Sequence, residues 1–327
     1  MQRSQGIKFA VLVLLLVIAL PASLFWGGAG SLDLQTESGR FIFTEIRFPK
    51  TVTALLAGTS LSVAGLVLQV LFRNPLAGPY VLGISSGAAL IVAAGLLAGS
   101  SMGIIHDHLA GRALMVAAAV TGGLVVTLMI LAVSKKVSNN VVLLLIGLMF
   151  SQVCSAIQSS LEFFADPGSL KNFVIWGMGS LSGTTNTDLL VYLPVTIIFL
   201  AALFFFIKPL NALLLGQDYA SSLGISFNRS RFFLILISSV LTGITTAFCG
   251  PIAFIGIAVP ILSRMIFKSS SQQLHVVSCI LLGSILLLFA DVISHAAVRG
   301  TSLPVNMITT LIGAPLVITL MFRYKQW

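Results

Sequence analysis

Apolar residues fill this chain in runs of membrane-helix length, one after another, with the charges confined to the short gaps between them. A run of about 20 apolar residues spans the hydrocarbon core of a bilayer as a helix. Backbone polar groups in lipid must be satisfied within their own element, and long uninterrupted runs do this as α-helices. A transmembrane barrel would show alternating segments of about ten residues instead, and no such alternation is present. Only 8% of the 327 residues are charged and 57% are apolar, which leaves little composition for a soluble catalytic domain. The chain reads as an all-α polytopic membrane protein, one transmembrane domain over residues 1–327.

About ten crossings follow from the runs: 9–28, 48–71, 80–99, 113–133, 141–164, 188–207, 232–249, 252–267, 274–296 and 305–322. The eighth is short, begins at Gly250-Pro251 and contains Pro260, so a broken or tilted helix is expected there. Arg3 and Lys8 ahead of Phe9–Leu20 have the grammar of a signal peptide, but the run continues through Trp26 without a clean small-x-small site. It is read as the first crossing.

Charge orients the stack. With the N-terminus in the cytoplasm, inside segments collect twelve of the 18 Lys and Arg residues: Arg3, Lys8, Arg73, Lys135, Lys136, Lys208, Arg229, Arg231, Arg264, Lys268, Arg323 and Lys325. The outside segments hold Arg40, Arg47, Lys50, Arg112, Lys171 and Arg299. That bias is the one the positive-inside rule demands, and it places both termini in the cytoplasm. The net charge of +9 therefore belongs to membrane topology and not to nucleic acid. Seven of the nine acids fall outside, as a consistency check.

Several activities are excluded. The dipeptide Gly-Lys is absent, so there is no phosphate loop of the G-x-x-x-x-G-K-[ST] type and no means of hydrolysing ATP. Leu181-Ser182-Gly183-Thr184 resembles an ATPase nucleotide signature but lies in an outside segment. Cys154, Cys249 and Cys279 sit singly within apolar runs, which gives neither a disulfide framework nor a thiolate metal site. No cofactor is expected.

Polar residues inside the runs carry the remaining signal. Asp291 is the one carboxylate deep in a run; it is an ion-coupling site, or a group that pairs locally with His295, one turn on, or caps a neighbouring backbone. Gln69, Ser85, Gln152 and Gln158 are candidates for an aqueous translocation path, or for hydrogen bonds between helices. The segment 208–232 is the longest inside loop, and Gln217–Leu223 closed by Gly224 reads as a short amphipathic helix. Such a helix is a handle for a partner protein or lies on lipid. Asn74–Gly87 and Gly250–Ala258 echo one another, each a Gly/Pro break followed by a small-residue helix, as duplicated halves around a pathway would be.

Glu45-Ile46-Arg47-Phe48-Pro49-Lys50 resembles the R-x-P-R opening of the second helix in FecCD-type permeases of ABC importers, which carry ferric siderophores, haem and cobalamin. Gly65–Gly87, GLVLQVLFRNPLAGPYVLGISSG, resembles the long signature of that family. So do Trp176–Gly183, Pro209–Gly224, Gly250–Gly256, Leu303-Pro304 and Gly313-Ala314-Pro315, in the right order over nearly the whole chain. The resemblance implies a type II importer permease: ten helices, a homodimer about a central path, two cytoplasmic ATPase subunits and an outer substrate-binding protein, in the bacterial cytoplasmic membrane. It implies docking of that protein at Arg47 and Lys50, with His295 and Arg299 near a further family basic position. It implies a cytoplasmic gate at Asn74, Leu76, Asn140 and Val141. It implies ATPase coupling through Gly216, Gln217, Asp218, Ser222, Leu223 and Gly224. Ile261 stands where the family commonly has His, so no role for that His carries over. Ferric siderophore is the first expectation for cargo, with haem and cobalamin open. An ion-coupled carrier or channel is the rival class.

Overall fold

The computed structural model describes residues 2–25, 34–98, 109–134, 140–215, 222, 224, 226–296 and 302–323. The described residues form helices throughout. They are α1 (Gln2–Phe25), α2 (Glu37–Phe41), a π-helical stretch (Ile42–Arg47) running into α3 (Phe48–Leu71), α4 (Ile84–Ala98), α5 (Leu109–Ser134) and α6 (Asn140–Phe164). Then come α7 (Pro167–Gly177), α8 (Asn186–Phe205), α9 (Ile207–Leu215), α10 (Phe227–Cys249), α11 (Ile255–Phe267), α12 (Gln272–Ala296) and α13 (Val305–Arg323). A helix occupies each of the ten expected crossings, and α2, α7 and α9 are short extras in the connections. Six described helices meet the length and hydropathy of a full span, while α4, α11 and α13 contribute shorter apolar stretches of 12, 13 and 15 residues.

Residue chemistry explains where these helices start and stop. Pro49 follows the π-helical stretch Ile42–Arg47 inside a helix that continues from Glu37 to Leu71, and the widened turn accommodates the N–H it lacks. Asp166 caps α7 by accepting from the amides of Gly168 and Ser169, both at 3.0 Å; these bonds, Ser169 foremost, hold its carboxyl below the usual range. Thr185 and Asp188 cap α8 reciprocally. The expected break before the eighth crossing is present. Gly250 (φ 70°) and Phe254 (φ 66°) turn the chain through the left-handed region, and α11 runs for only 13 residues.

The buried spine is α3 against α12, α11 and α10. Lipid tails are as apolar as leucine, so helices in a membrane associate through close backbone approach and hydrogen bonds. Both are present here. A Cβ on Gly58 would stand 2.2 Å from the Gly283 carbonyl oxygen, and one on Gly65 would stand 1.8 Å from that of Gly256. Thr59 and Ser284 share a hydroxyl bond of 2.9 Å, and Ser62 donates to the Cys279 carbonyl at 2.8 Å.

Connections between the helices sort into two ends. At one end Lys8 donates to the Ile266 carbonyl (2.6 Å), Arg73 to that of Leu213 (3.2 Å), and the Gln272 amide to Asn211 Oδ1 (3.0 Å). At the other, Asn186 donates to Glu45 (3.0 Å), the Ser180 amide to the Cys249 carbonyl (2.9 Å) and the Val305 amide to that of Gly179 (3.1 Å). The charge count assigns the first group to the inside and the second to the outside, and the two ends take their names from that assignment.

Candidate functional site

At the outer end three helices converge on one carboxylate. Asp291 on α12 is fully buried, and its Oδ2 accepts from Lys50 Nζ of α3 at 3.0 Å and from Ser23 Oγ of α1 at 2.7 Å. Thr51 Oγ1 lies 2.9 Å from the same Ser23 hydroxyl. With the Ser23 proton committed to the carboxylate, Thr51 is the donor in that contact. His295 Nδ1 sits 2.9 Å from the Asp291 carbonyl oxygen and 3.5 Å from Oδ1, and Oδ1 itself has no hydrogen bond among the described residues. Arg47, one turn before Lys50, donates to the carbonyl oxygens of Leu24 (3.1 Å) and Phe25 (2.8 Å) at the end of α1.

Arg47 and Lys50 are both buried within the subunit, because the last carbonyls of α1 and the carboxylate of Asp291 claim their charged heads. Asp291 does lie beside His295, one turn on, and its nearer charged partner is Lys50. His295 is half-buried, and Arg299 lies outside the described residues.

At the inner end Gln69 is buried, donates to the Ile257 carbonyl at 3.2 Å, and accepts from Arg264. Ser85 is buried as well. Of its two expected roles, Gln69 makes the hydrogen bond between helices, linking α3 to α11. His275, Ser263 and Ser278 extend this buried inner network, with His275 Nδ1 2.7 Å from Ser263 Oγ and Nε2 2.7 Å from the Ser269 carbonyl. The two Gly/Pro breaks meet directly. A Cβ on Gly256 would stand 2.7 Å from Pro79, and one on Gly78 would stand 2.6 Å from Ile257. Asn74 Oδ1 accepts from the Leu76 amide at 2.9 Å, and Leu76 packs on Ile257, Ala258 and Ile261. Asn140 opens α6; its side chain and that of Val141 lie outside the described residues.

α6 has a different character. Gly147, Ser151, Cys154 and Gln158 fall at helical spacing and pack on α4, where Gln158 donates to the Ser86 carbonyl at 3.4 Å. On the opposite side Met149, Gln152, Val153, Ala156, Ser159 and Phe163 are exposed. An uncovered amide in hydrocarbon is costly, and Gln152 is the amide side chain on this exposed face that lipid would not suit. Of the path candidates, this is the one the structure leaves open.

In the loop after α9, Gly216, Gln217, Asp218 and Leu223 lie outside the described residues. Ser222 is exposed, and Gly224 takes φ 74° with open space around it. That backbone favours glycine, as expected of a helix-closing residue.

Residues 8–323 match the model of the FecCD transport family. The chain is a member of the FecCD transport family. A vitamin B12 import system permease protein BtuC of Yersinia enterocolitica is 32% identical over 96% of this chain and 92% of its own. The BtuC of Photorhabdus laumondii is 34% identical over 89% and 85%. Among solved structures, an inward-facing conformation of a metal-chelate type ABC transporter superposes with TM-score 0.83 at 29% identity, covering 97% of this chain and 99% of that one. The protein is thus an ABC transporter permease and a multi-pass membrane protein.

Within this FecCD permease some site residues escaped the sequence reading. Ser23 and Thr51 complete the Asp291 cluster, Arg264 completes that of Gln69, and Asn306 caps the break before α11 by accepting from the Ala253 amide at 3.0 Å. A lone hydroxyl or amide in an apolar run carries no spacing signal. Asn306 follows the family segment Leu303-Pro304 by two residues, which was the one available pointer.

Proposed function

We propose that the chain is the permease subunit of an ATP-driven importer for a large organometallic chelate, with cobalamin as first choice of cargo. The supporting observation is the near full-length likeness to permeases named for vitamin B12 import, at 31–34% identity. It displaces ferric siderophore to second place, with haem third. Two copies of the chain pair through α6 and the exposed apolar stripe of α13 (Met307, Leu311, Ile318, Phe322), and Gln152 faces the path between them. Two cytoplasmic ATPase subunits engage the loop around Ser222 and Gly224. A substrate-binding protein docks on the outer end through the basic residues Lys50, His295 and Arg299. Asn74 and Leu76, with Asn140 and Val141, form the inner gate. Both termini face the cytoplasm.

An ion-coupled carrier is disfavoured by the same geometry. The deep carboxylate Asp291 is neutralised by Lys50 and is not held ready for a transported ion. Co-reconstitution of the permease, its ATPase and its binding protein in liposomes tests the proposal. Labelled cyanocobalamin should accumulate only with ATP. Accumulation of a ferric siderophore but not cyanocobalamin would overturn the cargo. ATP-independent uptake on a proton or sodium gradient would overturn the class. A cysteine at Lys171 should react with an impermeant thiol reagent from outside and one at Arg73 should not; the reverse would invert the topology.

A further inference from the structure

Lys50 lies in the first turn of α3 at the outer end, yet its ammonium is turned inward onto Asp291. We propose that Asp291 masks Lys50. The carboxylate holds the ammonium below the outer surface, and an acidic side chain of the substrate-binding protein must take it over, by exchange of ion-pair partners, when it docks. The inference rests on the docking reading above and makes Asp291 a positioning residue for it.

Three observations support a mask over a permanent strut. The hold on Lys50 is one-sided: Oδ2 carries it, and Oδ1 has no hydrogen bond among the described residues and faces His295 at 3.5 Å. The two partners also differ in reach. Lysine carries a flexible four-carbon stem that can lie along apolar surface while its head moves toward water. Asp291 sits five residues before the end of α12, about 7.5 Å at 1.5 Å per residue, on a side chain too short to follow. Finally, Arg47 is held by the carbonyls of Leu24 and Phe25, while His295 stands 3.5 Å from Oδ1 and stays beside Asp291 when Lys50 leaves. Lys50 is thus the mobile member of the cluster, and Ser23 and Thr51 set how firmly Asp291 retains it.

The mask is measured by amine acylation. The permease–ATPase complex in nanodiscs is exposed to the membrane-impermeant acylating agent sulfosuccinimidyl acetate. Acetylation of Lys50 is then followed by mass spectrometry against exposed Lys171 on α7. Asp291→Asn should raise the Lys50 rate several-fold and leave Lys171 unchanged. Ser23→Ala keeps the charge and removes one hydrogen bond to the carboxylate, so it should give a smaller rise; it carries the test if Asp291→Asn does not assemble. Lys50 acetylation equal to wild type in the assembled variants would overturn the mask and leave a purely structural pair. The importer's own ligand-free binding protein supplies the second arm. Unmasking should tighten its association with the complex, whereas an unmasked Lys50 with unchanged association would overturn docking through Lys50.

Discussion

α3 and α6 are nearly equal in length, 24 and 25 residues, and both are rich in apolar residues, yet the structure uses them in opposite ways. Twenty of the residues of α3 are buried. Among the described side chains of α6 only Gly147 and Cys154 are. The difference is written in side-chain size. α3 carries Gly58, Gly65 and a series of Ala, Ser and Thr residues, so neighbouring backbones close on it from several sides. α6 carries Leu, Met, Ile and Phe around most of its circumference and closes on α4 along one narrow strip. In lipid, where apolarity does not drive helices together, small residues and hydroxyls mark the inside of the bundle. The large apolar face of α6 is left for lipid, a second subunit or a path.

The sharpest test of that contrast is steric. Gly58→Leu would drive a side chain into the Gly283 carbonyl, only 2.2 Å from an ideal Cβ, and backbone cannot yield as a flexible side chain does. We expect the α3–α12 pair not to assemble, read as loss of monodisperse protein after detergent extraction. Ala156→Leu, an equal enlargement on the exposed face of α6, should leave the yield unchanged. If both variants behave alike, size does not separate the two helices.

Next in size is the buried ion pair. Lys50→Met strands the Asp291 carboxylate away from water, and removing one partner of a buried pair costs about 3–5 kcal/mol. The double variant Lys50→Met/Asp291→Asn removes both charges and should regain most of that loss, since replacing a whole pair is often nearly neutral. Unfolding in graded detergent mixtures measures both. A double variant as unstable as the single one would mean that Lys50 stabilises α3 by packing and not by charge.

Much of this architecture was legible from residues. The helices at the ten expected positions, the broken eighth one and the glycine turn at Gly224 all follow from backbone chemistry that residue type dictates. The direction of buried polar heads was not legible. Residue type leaves Arg47 and Lys50 as docking groups or interface anchors and Gln69 as path-lining or bonded between helices, because long side chains choose among partners on other helices; Arg47 meets Leu24 at a separation of 23 residues, Gln69 meets Arg264 at 195 and Ser23 meets Asp291 at 268. Periodicity locates such a residue on a helix but does not say which distant helix arrives beside it.

A smaller effect separates the hydroxyl contacts of α3 from the rest of its packing. Thr59→Val preserves shape and deletes the bond to Ser284. Hydrogen bonds between membrane helices average about 0.6 kcal/mol and reach about 1.7 kcal/mol. A loss in that range is expected in the same unfolding measurement. A loss comparable to that of Lys50→Met would show that the hydroxyl network, and not the glycine contact, holds α3 to α12.

The least effect on stability, and the most informative for function, belongs to Gln152 on α6. Its side chain is exposed and has no hydrogen bond among those described within the subunit, so Gln152→Leu should change the stability of the isolated permease by no more than about 0.5 kcal/mol. If the face is bathed in lipid, leucine suits it better than glutamine and transport is unaffected. If two copies bring this face to a water-filled path, the amide contacts the moving cargo or its hydration. ATP-driven uptake should then fall several-fold while ATPase association and dimer formation survive. Gln152→Asn, which keeps an amide one methylene shorter, should retain more activity than the leucine variant. Unchanged uptake in both variants would assign this face of α6 to lipid and move the path to another helix.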